Sequence, residues 1–435
     1  MKTYDVIVIG AGTSGLMAAV AAAQSGARVV LIEKNKRIGK KLLLTGGGRC
    51  NVTNNRPYEE IIAHIPGNGK FLYSAFSQYD NYDIIDFFES SGVQLKEEDH
   101  GRMFPVSDRS KTIVETFQHK AQELGVAVYN EALVRKVLTK ENQVIGVELA
   151  QQKIYAPSIV IATGGKTYPS TGSTGDGYAF AKALGHTVEP LYPTESPIRC
   201  VDSFIQKKTL QGLSLQDVCL SVLGPKNKPI VSHTMDLLFT HFGLSGPAAL
   251  RCSGFVNQLL KKQTSQKQPT VTLSLDMLPN QSEPELLQLL QQKIAVEPDK
   301  QLKNTFKQLL PERLLEFLLE KHDLLEVKGK QVTERQLEAW IREMKDFHFT
   351  ANGTFPLEKS FVTGGGIALK EINPKTMESK LVQGLYFCGE VLDVNGYTGG
   401  YNITAALVTG HCAGIHAADT AQYSQYVLES LDDVE

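Results

Sequence analysis

The sequence predicts an α/β chain in which a Rossmann-like dinucleotide-binding domain is split by an inserted β-rich domain and a small helical subdomain. Three observations predict it. A β-branched run, Tyr4 to Ile9, leads straight into Gly10-Ala11-Gly12-Thr13-Ser14-Gly15 and an alanine-rich helical stretch. Two later apolar runs, Ile159 to Ile161 and Leu385 to Phe387, also end close to glycines. Between them, past Pro190, Pro193 and Pro197, the pattern changes to short alternating strands and then to leucines at helical spacing.

In chain order, Tyr4 to Ile9 reads as a strand buried on both faces, Leu16 to Ser25 as a helix stopped at Gly26, and Arg28 to Ile32 as a second strand ending on Glu33. Gly10 permits a tight turn, Gly12 removes a side chain where a pyrophosphate must approach, and Gly15 lets helix and strand pack closely. The free N–H groups of the helix N-terminus attract the phosphates. Glu33, eighteen residues past Gly15, suits ribose hydroxyls and would repel a 2′-phosphate. Helices are expected over Asp80 to Ser90 and Lys111 to Leu124. Val126 to Tyr129, Leu133 to Thr139 and Val144 to Leu149 read as a small antiparallel excursion.

Beyond the prolines, Ile198 to Leu223, Pro229 to Phe239, Thr270 to Leu275 and Phe347 to Phe355 read as β-rich. Glu283 to Ala295, Asp299 to Leu310, Pro311 to Leu319 and Thr333 to Met344 read as helices. The expected domains are therefore a discontinuous nucleotide-binding domain (1–190 and 358–435), a β-rich substrate domain (191–280 and 345–357) and a helical insertion (281–344).

Composition narrows the classes. The 435 residues exceed one ordinary core. With 45 basic and 47 acidic residues the net charge is −2, so no whole-chain field draws the protein to nucleic acid or anionic membrane, although a local basic patch stays open. Lys261, Lys262, Lys328 and Lys330 read as solvated surface charges. The opening Met1-Lys2-Thr3-Tyr4-Asp5 and its short apolar run suit a strand rather than a signal peptide, and no apolar stretch reaches the roughly 18 residues of a membrane helix. Six cysteines without a C-x-x-C pair suit reduced thiols and offer no metal site. The expectation is a cytoplasmic protein without a membrane partner.

The first βαβ unit alone does not separate FAD from NAD. Three later segments favour FAD. Thr45-Gly46-Gly47-Gly48-Arg49-Cys50-Asn51 is a glycine loop with donors for a pyrophosphate and a flavin edge. Ile159 to Gly165 is a buried strand ending in a glycine pair. Leu385 to Glu390 ends in glycine and an acid, and Gly399-Gly400-Tyr401-Asn402 then opens an apolar helix. The N-terminus of that helix can face the flavin edge where charge develops on reduction.

These segments resemble the two-dinucleotide-binding-domain flavoproteins, in the branch of fumarate reductase and succinate dehydrogenase flavoprotein subunits. Together with Phe239 to Pro247 and Gly389 to Asp393, they resemble more closely a bacterial family of NAD(FAD)-utilising dehydrogenase-like proteins, which includes aminoacetone oxidase-like, bile-acid-reductase-like and rRNA dihydrouridine synthase-like members. The resemblance implies FAD contacts at Gly10, Gly12, Thr13, Ser14, Gly15, Glu33, Lys34, Lys41, Thr45, Gly46, Arg49, Cys50, Asn51, Val134, Thr163, Gly164, Glu390, Asp393, Gly400, Tyr401 and Asn402. No histidine follows Gly39 or Lys40, where the fumarate reductase branch attaches its flavin, so FAD is expected to be non-covalent.

The flavin carries the redox step and the protein positions it. Three residues are catalytic candidates: Cys50 in the glycine loop, against a packing thiol; His241 in the Thr240 to Pro247 turn, against a loop-fixing histidine; and Tyr397 for substrate contact, against loop packing. Arg102 is a candidate for an anionic substrate group, against a surface salt bridge. The leading expectation is an FAD-dependent oxidoreductase acting on a small molecule by hydride transfer at flavin N5, as an amine oxidase of the aminoacetone type passing electrons to O₂ and releasing hydrogen peroxide. The alternative is a reductase in which NAD(P)H visits the flavin transiently, including a dihydrouridine-forming rRNA enzyme. RNA is open as a partner but not favoured by the acidic pI of about 6.6.

Overall fold

A computed structural model describes residues 3–263 and 267–432, and the chain divides into two compact units, residues 1–192 with 357–435 and residues 193–356. In the first unit a five-stranded parallel sheet has the spatial order Leu385–Phe387, Ser158–Ile161, Val6–Ile9, Val29–Ile32, Ala127–Tyr129. Val6 pairs in register with Ser158 on one side and Val29 on the other. Every residue of the three inner strands is buried, which is why they read as continuous apolar runs rather than alternating ones.

Ala127–Tyr129 corrects one expectation. It does not belong to the antiparallel excursion but extends the parallel sheet beside Val29–Ile32. The excursion is instead Val134–Lys140, Gln143–Leu149 and Lys153–Tyr155. Three-residue strands carry too little pattern to reveal their partner, and pairing with a distant strand leaves no local trace.

The helix Thr13–Gln24 is buried on nearly every side from Ser14 to Ala22, hence its alanine-rich composition. One neighbour is the long helix Tyr401–Asp432. Their backbones nearly touch: a Cβ on Gly410 would sit 2.3 Å from the Ser14 carbonyl oxygen, and one on Gly414 2.3 Å from that of Ala18. Two glycines four residues apart lie on one face of a helix, so both face the same partner.

In the second unit six strands close an antiparallel barrel in the order Ile198–Cys200, Gly243–Ser245, Pro229–Phe239, Ser214–Leu223, Val271–Asp276, Phe347–Thr354. Val271–Asp276 alternates buried and part-exposed residues, as a barrel wall requires. A helix over Pro247–Lys262, which the sequence reading passed over, contributes Ala248, Ala249, Cys252 and Val256 to the core. The helices Glu283–Val296, Glu312–Lys321 and Glu334–Lys345 share that same hydrophobic cluster, and buried Trp340 stacks on Phe306 at 5.4 Å. The long helix expected over Asp299 to Leu310 shrinks to Leu302–Thr305. Leu302 and Phe306 are buried there, so their spacing reflected core contact rather than an extended helix.

Gly410→Ala tests the helix contact through its sign. In an unconstrained helix the change stabilises by about 0.5–1 kcal/mol, whereas overpacking against the Ser14 carbonyl is expected to cost about 1–3 kcal/mol. Thermal unfolding should show a lowered midpoint.

Candidate functional site

Parallel strands point their carboxyl ends the same way, and open α/β sheets bind ligands in the crevice beyond those ends. Here the ends carry Gly10-Ala11-Gly12, Glu33, Thr163-Gly164-Gly165 and Gly389-Glu390. Positions 152 residues apart (Val6 and Ser158) and 226 apart (Ile159 and Leu385) are thus set side by side by sheet register.

The three fingerprint glycines divide their labour. A Cβ on Gly15 would lie 1.8 Å from the Gly10 carbonyl oxygen, and one on Gly10 (φ 99°) would lie 2.7 Å from that of Ala162. Both are needed for packing. Gly12 differs, since nothing lies within 4 Å of its absent Cβ. Gly12 caps the helix Thr13–Gln24, whose first N–H groups have no acidic side chain in their turn, and open space at that end suits a phosphate. Ser14 is buried and its hydroxyl donates to the Cys388 carbonyl at 3.4 Å, fixing the helix to the Leu385–Phe387 strand end.

Glu33 is buried and ties the first loop together. Its Oε2 accepts from the Ala11 amide at 2.9 Å, and its Oε1 accepts from the Asn35 amide at 2.8 Å and Asn35 Nδ2 at 2.7 Å. An ionised carboxylate offers about four acceptor positions, so Oε2 retains capacity for a ribose hydroxyl. Ala132 donates to the Glu33 carbonyl at 2.9 Å, which brings the strand carrying buried Val134 beside the same loop. Lys34 pairs with Asp176 at 2.5 Å and also donates to Thr174.

Glu390 is the second acid. Its Oε2 accepts from Lys41 Nζ at 2.7 Å and its Oε1 from the Thr363 amide at 2.9 Å, while Lys41 also donates to Thr167 at 2.8 Å. Desolvation alone would raise this carboxyl, but the Lys41 charge and the hydrogen bonds outweigh it and hold Glu390 below the usual carboxylate range. Thr363 and Thr167 were missed in the sequence. A signal existed: Thr363-Gly364-Gly365-Gly366 repeats the Thr45-Gly46-Gly47-Gly48 pattern.

In the glycine loop, Gly46, Gly47 and Gly48 all have φ between 57° and 89°, and Cys50 follows at 61°. Only glycine adopts such a left-handed run at little cost. Gly47 and Gly48 face open space. Arg49 is already engaged: it pairs with Glu98 at 2.8 Å and lies 4.2 Å over the Phe104 ring. Cys50 is fully buried, and burial pushes its thiol up to about 12, so it stays protonated at neutral pH. Buried Asn51 has an Oδ1 with no hydrogen-bond partner, and it lies 3.1 Å from the place of a Cβ on Gly400. Thr53 and Thr404 share a 2.8 Å hydrogen bond that holds this loop to the start of the last helix.

Asn402 is committed to its own turn, accepting from the Gly396 amide at 2.7 Å and donating to the Gly396 and Tyr397 carbonyls. Buried Tyr401 stacks on His64 at 4.6 Å, and Tyr397 meets the same imidazole edge-on at 6.4 Å. His64 was another residue the sequence reading missed. Its Nδ1 lies 2.7 Å from the Glu60 carbonyl, which can only accept, so Nδ1 carries the proton. Asp393 follows the Glu390 turn, and its carbonyl accepts from Asn68 at 2.8 Å. Arg102 pairs with Asp99. His241 lies in the second unit, exposed in the turn between two barrel strands, with its ring 5.0 Å from Phe242.

Open space at Gly12, Gly47 and Gly48, the orphaned Asn51 Oδ1, and an equally orphaned buried Thr163 Oγ1 fit a dinucleotide lying across the strand ends. Among the described residues no group of three or more His, Cys, Asp or Glu is placed to hold a metal ion. No helix among them is long and apolar enough to cross a membrane.

Fold and site together define a Rossmann-type flavoprotein with an inserted barrel. Residues 4–416 match the HI0933-like protein Rossmann domain, and the chain belongs to that family. It is 33% identical over 403 residues to the ribosomal RNA dihydrouridine synthase of Escherichia coli K12, covering 92% of this chain and 95% of that one. It is 32% identical over 424 residues to the Haemophilus influenzae protein of the same name, covering 95% and 99%. It is 29% identical over 416 residues to the 3-dehydro-bile acid delta(4,6)-reductase of Clostridium scindens, covering 95% and 98%. Among solved structures, the 3-ketosteroid delta1-dehydrogenase of Sterolibacterium denitrificans shares the fold, with a TM-score of 0.52 at 12% identity over 96% of this chain and 100% of that one. The protein is an FAD-dependent oxidoreductase.

Two outcomes check the site. Gly12→Ala should fold and yet purify with less flavin, whereas Gly15→Ala should lower stability itself; absorbance near the flavin bands and thermal unfolding separate them. For Glu390, whose folded-state carboxyl is lowered, stability is present above the usual carboxylate value and lost as pH falls through the lowered one. Lys41→Met leaves that acid without its cation. Its stability deficit should therefore be largest at neutral pH and shrink as pH falls through the carboxylate range and Glu390 protonates, as followed by denaturant unfolding across pH.

Proposed function

We propose that the chain is a flavin-dependent reductase that saturates an electron-poor carbon–carbon double bond, with the C5–C6 bond of a uridine in ribosomal RNA as its substrate and NAD(P)H as transient electron donor. The observation that carries this reading is the end-to-end similarity to the Escherichia coli and Haemophilus influenzae proteins. The Clostridium scindens relative is likewise named for reduction. A uracil ring and an unsaturated ketosteroid present the same chemistry: the double bond is conjugated to a carbonyl, so the carbon remote from that carbonyl accepts hydride and the adjacent carbon a proton. Over the whole reaction NAD(P)H is oxidised and the uracil ring gains two hydrogens.

Bound FAD supplies the hydride chemistry. Among this chain's residues, Gly12 and the Thr13 helix end suit the pyrophosphate, Glu33 the ribose, and Lys41, Thr363 and Glu390 the next stretch of strand ends. Cys50 is sealed from substrate, which leaves it a packing thiol. Tyr397, between Gly396 and the Gly399-Gly400 pair, is proposed for substrate contact from its place beside the glycine pair; its side chain is buried and meets His64 edge-on. No second complete G-x-G-x-x-G with its acid occurs, so NAD(P)H visits the flavin without a domain of its own. The amine-oxidase reading, with O₂ as acceptor and aminoacetone as substrate, draws no support from these relatives.

Deleting the gene should remove a dihydrouridine from ribosomal RNA, with wild-type protein restoring it, and NAD(P)H should bleach the purified flavin anaerobically. Unchanged rRNA, together with rapid bleaching by aminoacetone and peroxide on re-aeration, would replace this reading with the oxidase.

A further inference from the structure

Residues 34–58 hold seven Lys or Arg and no acid, in a chain whose net charge is −2. The first part of this segment is laced to the loop that follows the Ser158–Ile161 strand. Asn35 Nδ2 donates to the Thr171 carbonyl at 3.0 Å, Lys40 Nζ to the Ser170 carbonyl at 2.6 Å, and Lys41 to Thr167. Lys36 and Arg37 lie between these anchors, exposed, and among the described residues neither has an ion-pair partner. The same holds for exposed Lys166, whose stem would lie 3.6 Å from a Cβ on Gly175.

Beside these cations is an aromatic pair. Phe361 is 46% exposed, unusual for a large apolar ring, and its centroid is 6.1 Å from that of Tyr168. Tyr168 is held at φ 51°, a left-handed conformation that a bulky residue adopts only under constraint. The constraint is visible: the Thr171 amide and hydroxyl both donate to the Tyr168 carbonyl, at 2.8 and 2.7 Å, and the Thr167 hydroxyl donates to the Phe361 carbonyl at 3.4 Å. Nearby acids are mostly spoken for. Asp176 pairs with Lys34, Glu390 with Lys41, and Glu33 lies under backbone amides. Glu131 and Glu358 remain exposed, the latter next to Lys359.

We infer that this surface docks an unpaired stretch of RNA: Phe361, backed by Tyr168, stacks one base, and Lys36, Arg37 and Lys166 hold the flanking phosphates. Every base has a π-face and single-stranded RNA is read largely by stacking, so an exposed ring flanked by unpaired cations suits it better than it suits a folded protein or a duplex. The inference rests on the ribosomal RNA reading and adds where the RNA is gripped.

The test uses purified holoenzyme and ribosomal RNA extracted from the deletion strain, with filter retention measured across salt concentrations. Phe361→Ala should bind about ten-fold more weakly with flavin content unchanged, and Phe361→Tyr should restore affinity. The pair K36Q/R37Q should flatten the slope of log affinity against log salt by about 1.4, at about 0.7 per lost phosphate contact. Wild-type affinity and slope in both variants would overturn the strip, as would loss of flavin in Phe361→Ala, since the ring would then serve the cofactor. Dihydrouridine content separates the two levels. If wild-type protein modifies the RNA while the variants bind normally, the strip is wrong and the reading stands. If wild-type protein neither modifies nor binds the RNA, both fall.

Discussion

The arrangement at the strand ends depends on how near the first helix comes to the first strand. At Gly15 the gap to the Gly10 carbonyl leaves no room for even a methyl group, and at Gly410 and Gly414 the last helix closes on the first just as tightly. Interiors packed at crystal-like density do not absorb an extra carbon there without moving backbone. The helix N-terminus, which suits a phosphate, is therefore held from two sides by three glycines, Gly15, Gly410 and Gly414. Gly12, the one fingerprint glycine with open space around it, is left for the cofactor.

Electrostatics then refine what packing has placed. Two carboxylates stand at strand ends, and the protein treats them differently. Glu33 is satisfied by neutral amide donors and shapes the loop around it. Glu390 is held ionised by Lys41 and the Thr363 amide against its own desolvation. Lys41, which serves Glu390, and Lys34, which pairs with Asp176, belong to the basic stretch after Glu33, so one segment supplies the site's cations and leaves Lys36 and Arg37 exposed. A near-neutral chain can in this way present a locally cationic surface.

Legibility followed the range of the interactions concerned. The fingerprint glycines and the inner strands were readable because turn geometry and two-faced burial act within a few residues of chain. Ala127–Tyr129 was misplaced because its parallel partner, Val29–Ile32, lies about a hundred residues away and three residues carry no usable period. Asp299 to Leu310 looked helical because buried leucines recur there, although only Leu302–Thr305 coils. The barrel's alternating strands were visible, but its closure between Phe347–Thr354 and Ile198–Cys200 was not, since no residue of either strand announces the other.

By itself the sequence determined a dinucleotide site: a glycine fingerprint after a buried strand, an acid eighteen residues on, and the glycine loops that tilt the choice to FAD. Those features are legible because strand, glycine turn, helix and acid follow one another closely along the chain. Only the tertiary structure decided that Thr167, Thr363 and Lys41 converge on Glu390, that Cys50 is buried and Arg49 already paired, and that Tyr168 and Phe361 form a ring pair. Such meetings are set by sheet register and loop lacing across hundreds of residues, and their distances exist only once the chain has folded.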